Sequence, residues 1–359
     1  MQESLLEGQS VRHFRSSTLT PSCATQAGSG TAGSSHSLVS RPSIPTAWPW
    51  VFYAASIALA IAAAAPARAA ESVRRLTFNP ATDWSPDWCP DGSCVIFVSA
   101  RSGRSNVWRM PAEGESALPA VRLTNDPSSN WDPCFAPNGE DIAYVSDRDA
   151  SDREIYRMNL ASGVETRLTN IVGYDLEPAW SPDGSSILFV SSRQETWDLW
   201  LMSVWGENPL CLTPGPYVEY QPCWSPDGTR IAFMSTRSGN YDIWVMPAGG
   251  DESQAIQLTN DPGRDYTPSW SPDGKYIAYS SERSGNPEIW IMDVNGENSG
   301  LAQVTDNPGD DRQPRWSPDG AKIVFASNRT GNWDIWVADN LPQGVEPTTW
   351  GRIKTRFFH

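Results

Sequence analysis

Seven residues after the first residue of a recurring Leu-Thr dipeptide (Leu76, Leu123, Leu168, Leu212 and Leu258, with Val304 in the sixth copy) stand Asp83, Asn130, Asp175, Glu219, Asp265 and Asp311. They are followed in turn by Trp84, Trp131, Leu176, Tyr220, Tyr266 and Arg312. Paired carboxylates can act as acid and base without histidine. Acids set among aromatic anchors also suit a basic or amphipathic protein segment, the aromatics giving contact area and the acids orientation. The alternative is a solvated acidic rim whose aromatics pack sideways. Such oxygens could hold a Ca²⁺ ion, but their spacing matches no recognised calcium loop. No metal site and no cofactor are expected.

Other chemistry is sparsely supplied. The three histidines, His13, His36 and His359, lie outside the repeated segment, which removes a Ser-His-Asp triad. There is no Gly-x-Ser-x-Gly elbow and no phosphate-binding glycine loop. A Ser-x-Arg sequence recurs at one offset, with Arg101, Arg148, Arg193, Arg237, Arg283 and Arg329. A feature present in every unit serves the unit, so these arginines are expected in ion pairs or loop hydrogen bonds across each hairpin. With 27 basic and 42 acidic residues the net charge is −15. That balance argues against nucleic acid and anionic membrane surfaces and for basic or cation-bridged partners.

The elements that must carry these residues follow from the period of about 45 residues. Ten residues after each opening Leu comes a Pro, two further on Trp88, Phe135, Trp180, Trp224, Trp270 or Trp316, and then a turn. The turn is Ser-Pro-Asp-Gly at 181–184, 225–228, 271–274 and 317–320, with Cys89-Pro90-Asp91-Gly92 and Ala136-Pro137-Asn138-Gly139 as variants. Pro fixes φ and Gly supplies the left-handed residue that closes a hairpin. The strand that follows opens with runs such as Ile231-Ala232-Phe233, apolar on both faces and so covered on both. Two more strands complete each unit. Four short antiparallel strands repeated six times predict an all-β, six-bladed β-propeller. The last unit stops after its third strand, and a spare fourth strand, Val73 to Thr77, precedes the first, so an N-terminal strand is expected to close the ring. In such a ring the six acid or amide positions begin the innermost strands, at one mouth of the central channel.

Of the six cysteines, Cys89 and Cys94 flank the first turn, where opposite strand positions lie close enough for a disulfide. Cys134, Cys211 and Cys223 have no Cys-x-x-Cys spacing and read as small buried thiols. Residues 1–47 have no apolar period and read as a disordered extension. Because an apolar leader follows so far from Met1 and no Met lies between Met1 and Met110, translation is expected to start at a non-standard codon near Leu38 or Val39. Residues 48–69 read as a signal peptide, with Ala67 and Ala69 forming a cleavage site after Ala69, the alternative being an uncleaved membrane anchor, since about 18 apolar residues just span a bilayer. The propeller then spans 70–340, and a basic, aromatic tail occupies 341–359. Past the cleavage site the chain carries 23 basic and 40 acidic residues, a net of −17.

The unit, with its Leu-Thr, Pro-x-Trp-Ser-Pro-Asp-Gly, Ile-Ala-Phe-x-Ser-x-Arg and Asp-Ile-Trp, closely resembles the propeller repeat of the TolB-like family over residues 73 to about 340. The resemblance implies a periplasmic or secreted binding protein, without the separate N-terminal α/β domain of TolB, whose partner is an envelope or peptidoglycan-associated protein. Similar propellers that cleave pectin fragments use a His-ligated metal, for which the blades here have no histidine. The expected function is therefore a non-catalytic, monomeric protein-binding scaffold, without stable membrane insertion after signal cleavage, whose partner docks at the channel mouth. The alternative is a hydrolase or carbohydrate-active propeller.

Overall fold

The computed structural model describes residues 73–149, 152–294, 301–339 and 341. The extension 1–47, the signal peptide 48–69 with its cleavage at Ala69, and the tail apart from Leu341 lie outside the described residues. No described helix is long and apolar enough to cross a membrane.

Six four-stranded antiparallel sheets form the blades of a propeller. Blade 4 is typical, with strands Glu219–Trp224, Arg230–Ser235, Asp242–Pro247 and Ile256–Gln257 from axis to rim. Blades 1, 2, 3 and 5 repeat it over 83–122, 130–167, 175–211 and 265–303. Blade 6 takes three strands from 311–338 and its outermost from Val73–Arg75. There Val73, Arg74 and Arg75 pair with Ala338, Val337 and Trp336. Leu76 N–H donates to Ile335 O at 2.8 Å, and Arg75 meets the buried Asp334 carboxylate at 2.8 Å. The first and last strands of the repeated segment thus share one sheet, as the spare fourth strand predicts.

The second strand of every blade is buried along its run, with Phe97, Tyr144, Phe189, Phe233, Tyr279 and Phe325 at 0% exposure. Each such side chain contributes about 1.5–3 kcal/mol by burial. The cores lie between blades: one cluster joins Trp88, Val95 and Phe97 of blade 1 to Val324, Ile335 and Val337 of blade 6. No sheet hides its own faces, and only the stack does.

The Ser-Pro-Asp-Gly turn works as its residues dictate. In blade 4, Gly228 has φ of +71° and its N–H donates to Ser225 O. Ser225 Oγ donates to Asp227 Oδ1 and accepts from Arg230 N–H at 2.9 Å. Asp227 also accepts from Thr229 N–H, and the Ser225 bond first, then that amide, hold its carboxyl down at about 2. In blade 1 Cys89 replaces the serine: its Sγ donates to Asp91 Oδ1 at 3.1 Å and accepts from Cys94 N–H at 2.7 Å. Cys89 and Cys94 are both free, so the expected disulfide is corrected. The Cys89 sulfur fills the place of a turn hydroxyl.

Candidate functional site

The mouth is built where the first strands begin, beside the loops that link second to third strands and the connectors that join successive blades. The six acid or amide positions do meet there, one from each blade, but not as an exposed ring. Asp83, Asn130, Asp175, Glu219, Asp265 and Asp311 are all 0 or 1% exposed. Each acid accepts from the arginine of its own blade's Ser-x-Arg: Arg101–Asp83 and Arg237–Glu219 at 3.0 Å, Arg193–Asp175 at 2.9 Å, Arg283–Asp265 at 3.3 Å and Arg329–Asp311 at 2.6 Å. Asn130 meets Arg148 at 3.4 Å, and that arginine takes Asp126 and Glu165 as its ionic partners. Each guanidinium also lies over two rings of its blade, as Arg237 over Phe233 at 5.3 Å and Trp244 at 5.1 Å. Its Nε donates to the serine of the motif, at 3.0 Å in Ser235.

The expectation of carboxylates on a docking rim is therefore corrected. A buried guanidinium needs a counter-charge, and the first-strand acid supplies it. Burial, first, pushes Asp83 up to about 6 against the Ser99 hydrogen bond and Arg101, and Glu219 up to about 7 against Arg237 and Ser235.

What the mouth presents instead is aromatic, aliphatic and cationic. Trp84, Trp131, Tyr266 and Arg312 are half-buried, while Tyr220 is buried. Arg153 lies over Trp131 at 4.4 Å, and Arg312 bridges Tyr266 and Trp333 at 5.4 and 5.9 Å. Between blades 3 and 4, Tyr174, Trp197 and Tyr220 stack in series, with centroids 6.1 and 5.3 Å apart. Beside them the connector raises Ile171, 48% exposed, and Val172, 83% exposed, and the next connector raises Tyr217. These connector residues went unnoticed in the sequence because they fall in the least regular part of the repeat. Their signal is Ile171-Val172 standing where the other five copies carry an Asn-Pro, Asp-Pro or Gly-Pro pair.

Inside the channel lies a second ring that sequence reasoning missed. Ser85, Asp132, Glu177, Gln221, Thr267 and Gln313 each precede the first-strand Pro and sit at φ between +46° and +58°. That conformation costs a side-chain-bearing residue about 1–2 kcal/mol. At several of these bulges the polar side chain reaches the neighbouring blade, whereas Thr267 bonds Ser280 of its own. Gln313 Oε1 accepts from Ser85 N–H at 2.8 Å, Glu177 from Gln221 N–H at 2.6 Å and Gln221 Oε1 from Thr267 N–H at 2.8 Å. Burial, and then the Asp132 charge, push Glu177 up to about 8. Below this ring Asp87 accepts from Phe135 N–H at 3.0 Å, and burial lifts it to about 6 against the pull of Arg315. A polar residue kept before the Pro in all six copies of an inner strand was the available signal.

Among the described residues no group of three or more His, Cys, Asp or Glu side chains is set to hold a metal ion. Cys134, Cys211 and Cys223 are free and half-buried rather than fully buried, and desolvation pushes the Cys223 thiol up to about 12 and Cys211 to about 11.

The model of the TolB beta propeller domain matches residues 118–215 and 211–301, just over half of the chain. Among solved structures, TolB from Acinetobacter baumannii is similar at 24% identity and a TM-score of 0.60, covering 67% of this chain and 59% of that one. The chain thus spans less than two thirds of that relative's length. A putative TolB from Agrobacterium tumefaciens is similar at 21% identity and a TM-score of 0.59, over 75% of this chain and 97% of that one. An oligogalacturonate lyase from Vibrio parahaemolyticus shares 13% identity at a TM-score of 0.53, over 76% and 94%. At these identities the structural likeness speaks to the fold.

Proposed function

We propose that this chain, which belongs to the TolB β-propeller family, is an exported, non-catalytic scaffold that binds an envelope protein through the channel-mouth face. The carrying observation is the mouth end of blade 3, where the connector from blade 2 leaves Ile171 and Val172 exposed and runs into the Tyr174, Trp197 and Tyr220 series that reaches blade 4. Exposed aliphatic groups next to rigid aromatics match the composition of interface anchors. Trp84, Trp131, Tyr266 and Arg312 extend the face around the axis, while Asp83, Asn130, Asp175, Glu219, Asp265 and Asp311 hold it rigid from below. The apolar leader at 48–69 supports export to the periplasm or beyond, and relatives named TolB support an envelope partner. Solved propellers that are lyases keep the hydrolase or carbohydrate-active reading as the rival.

The test is site-specific photo-crosslinking in intact cells, with the reactive group at residue 172 or 217 and, as controls, at the outer-rim positions 164 and 256. A discrete protein adduct from 172 and 217 that is absent from the controls supports mouth docking. Equal adducts at all four sites would move the interface elsewhere. Turnover of oligogalacturonate or peptide substrates by the purified protein would replace the scaffold reading with the enzymatic one.

A further inference from the structure

The six-fold repeat supplies its own control for charge, and one blade junction breaks the pattern. The third strand begins with a buried carboxylate in five blades, Glu154, Asp198, Asp242, Glu288 and Asp334, but with Asn106 in blade 1. The first strand begins with an acid in five blades and with Asn130 in blade 2. Both departures fall at the same place, because Asn130 Nδ2 lies 3.3 Å from Asn106 Oδ1. Two negative charges are therefore missing from the junction of blades 1 and 2.

The cation that those charges answer elsewhere is still present. The fourth-strand arginine of blade 6, Arg75, meets Asp334 at 2.8 Å, and that of blade 2, Arg167, meets Glu154 at 2.6 Å. Arg122 holds the same position in blade 1, yet its acceptors are neutral: Asn106 Oδ1 at 2.9 Å, Asp126 O at 3.3 Å and Thr124 O. These bonds use its Nε and Nη2. Arg122 lines a cleft of about 490 Å³ together with Ser102, Arg104, Asn125 and Asp126, and Arg104 is exposed beside it. Asp126 brings the one carboxylate of the lining, and it is committed to Arg148 at 3.0 Å and to Asn130 at 3.0 Å.

We propose that this cleft is an anion site in which Arg122 and Arg104 take an oxyanion, a carboxylate or a phosphate, as the replacement for the carboxylate that blade 1 lacks. A half-buried guanidinium held by two of its nitrogens is pre-set to offer the third, and charge-assisted bonds of that kind are short and strong. The acidity of the whole chain does not forbid this. Charges beyond about 8–10 Å are screened at physiological salt, so the near guanidinium groups decide. The proposal is independent of docking at the mouth end of blade 3 and stands or falls without it.

Titration calorimetry of the full-length protein with inorganic phosphate and with N-acetylglycine tests it. Saturable binding of either anion is expected, and the tighter of the two names the source. Arg122→Gln and Arg104→Gln should each weaken it about 10-fold. Asn106→Asp restores the carboxylate of the other blades in the same volume. It is expected to keep or raise the melting temperature while weakening the anion about 10-fold or more, which separates loss of site from loss of fold. No saturation by either anion up to about 20 mM, against ordinary charge-assisted sites, would overturn the proposal. Unchanged affinity in Asn106→Asp would overturn it as well.

Discussion

Asp175 and Arg193 are 1% and 7% exposed and face each other at 2.9 Å, with Arg193 also over Phe189 and Trp200. Removing one partner leaves the other charge buried, so Asp175→Ala should cost about 3–5 kcal/mol, read as a shift in the urea midpoint. A loss near zero would mean that the motif is not the blade's internal tie. Glu177 gives a pH test. Its carboxyl lies at about 8 in the folded channel against 4.5 unperturbed, so the folded state binds the extra proton between those values. Stability should fall as pH rises from about 4.5 to 8, because the buried group is then forced to ionise. Glu177→Gln should flatten that fall and be the more stable protein above about pH 8, measured by melting at fixed ionic strength. The offset of these acids from the Leu-Thr was legible in the sequence. Their burial was not, since a charge at a regular interval reads alike whether it faces water or a guanidinium.

At the scale of the element, the turn was the most legible part of the chain, because Pro, Asp and Gly each restrict the backbone locally and need no neighbour to do so. A methyl added at Gly228 would meet the Pro182 ring at an ordinary 3.8 Å, so the cost of Gly228→Ala comes from its φ of +71° alone. We expect about 1–2 kcal/mol, seen in the melting temperature. Cys89→Ser should leave stability within about 1 kcal/mol, since serine does the same work in four other turns. A loss of about 2–4 kcal/mol would instead reveal a disulfide to Cys94. The disulfide expectation rested on proximity across a hairpin, and proximity is what a hydrogen-bonded thiol shares with a bonded one. The inner-strand bulge was hidden for another reason. A residue before Pro is normally extended, yet Ser85, Asp132, Glu177, Gln221, Thr267 and Gln313 all stand in left-handed conformations, and the bonds that Gln313, Glu177 and Gln221 make to amides of the next blade join residues no local window contains.

The whole molecule depends on the shared sixth blade. Deleting residues 70–77 removes the partner strand of Asp334–Ala338, the Leu76 wedge of the inter-blade core and the Arg75 counter-charge together. The truncated chain is expected to aggregate or to lose its cooperative melt, checked by light scattering and calorimetry. Arg75→Ala is the milder test and should cost about 2–4 kcal/mol. A truncated protein that melts like the parent would mean that the ring holds without its clasp.

The sequence alone determined the number of blades, the strand order within each and the closing strand. Those features follow from local backbone preference and from apolar runs too long for one face, and both are written in consecutive residues. The tertiary structure alone decided which polar groups water can reach. It buried the acids of the mouth under their arginines, raised Ile171 and Val172 at a connector, and left Arg122 facing amides where its counterparts face carboxylates. Accessibility and charge balance are sums over neighbours from different blades, and no window along the chain contains those neighbours.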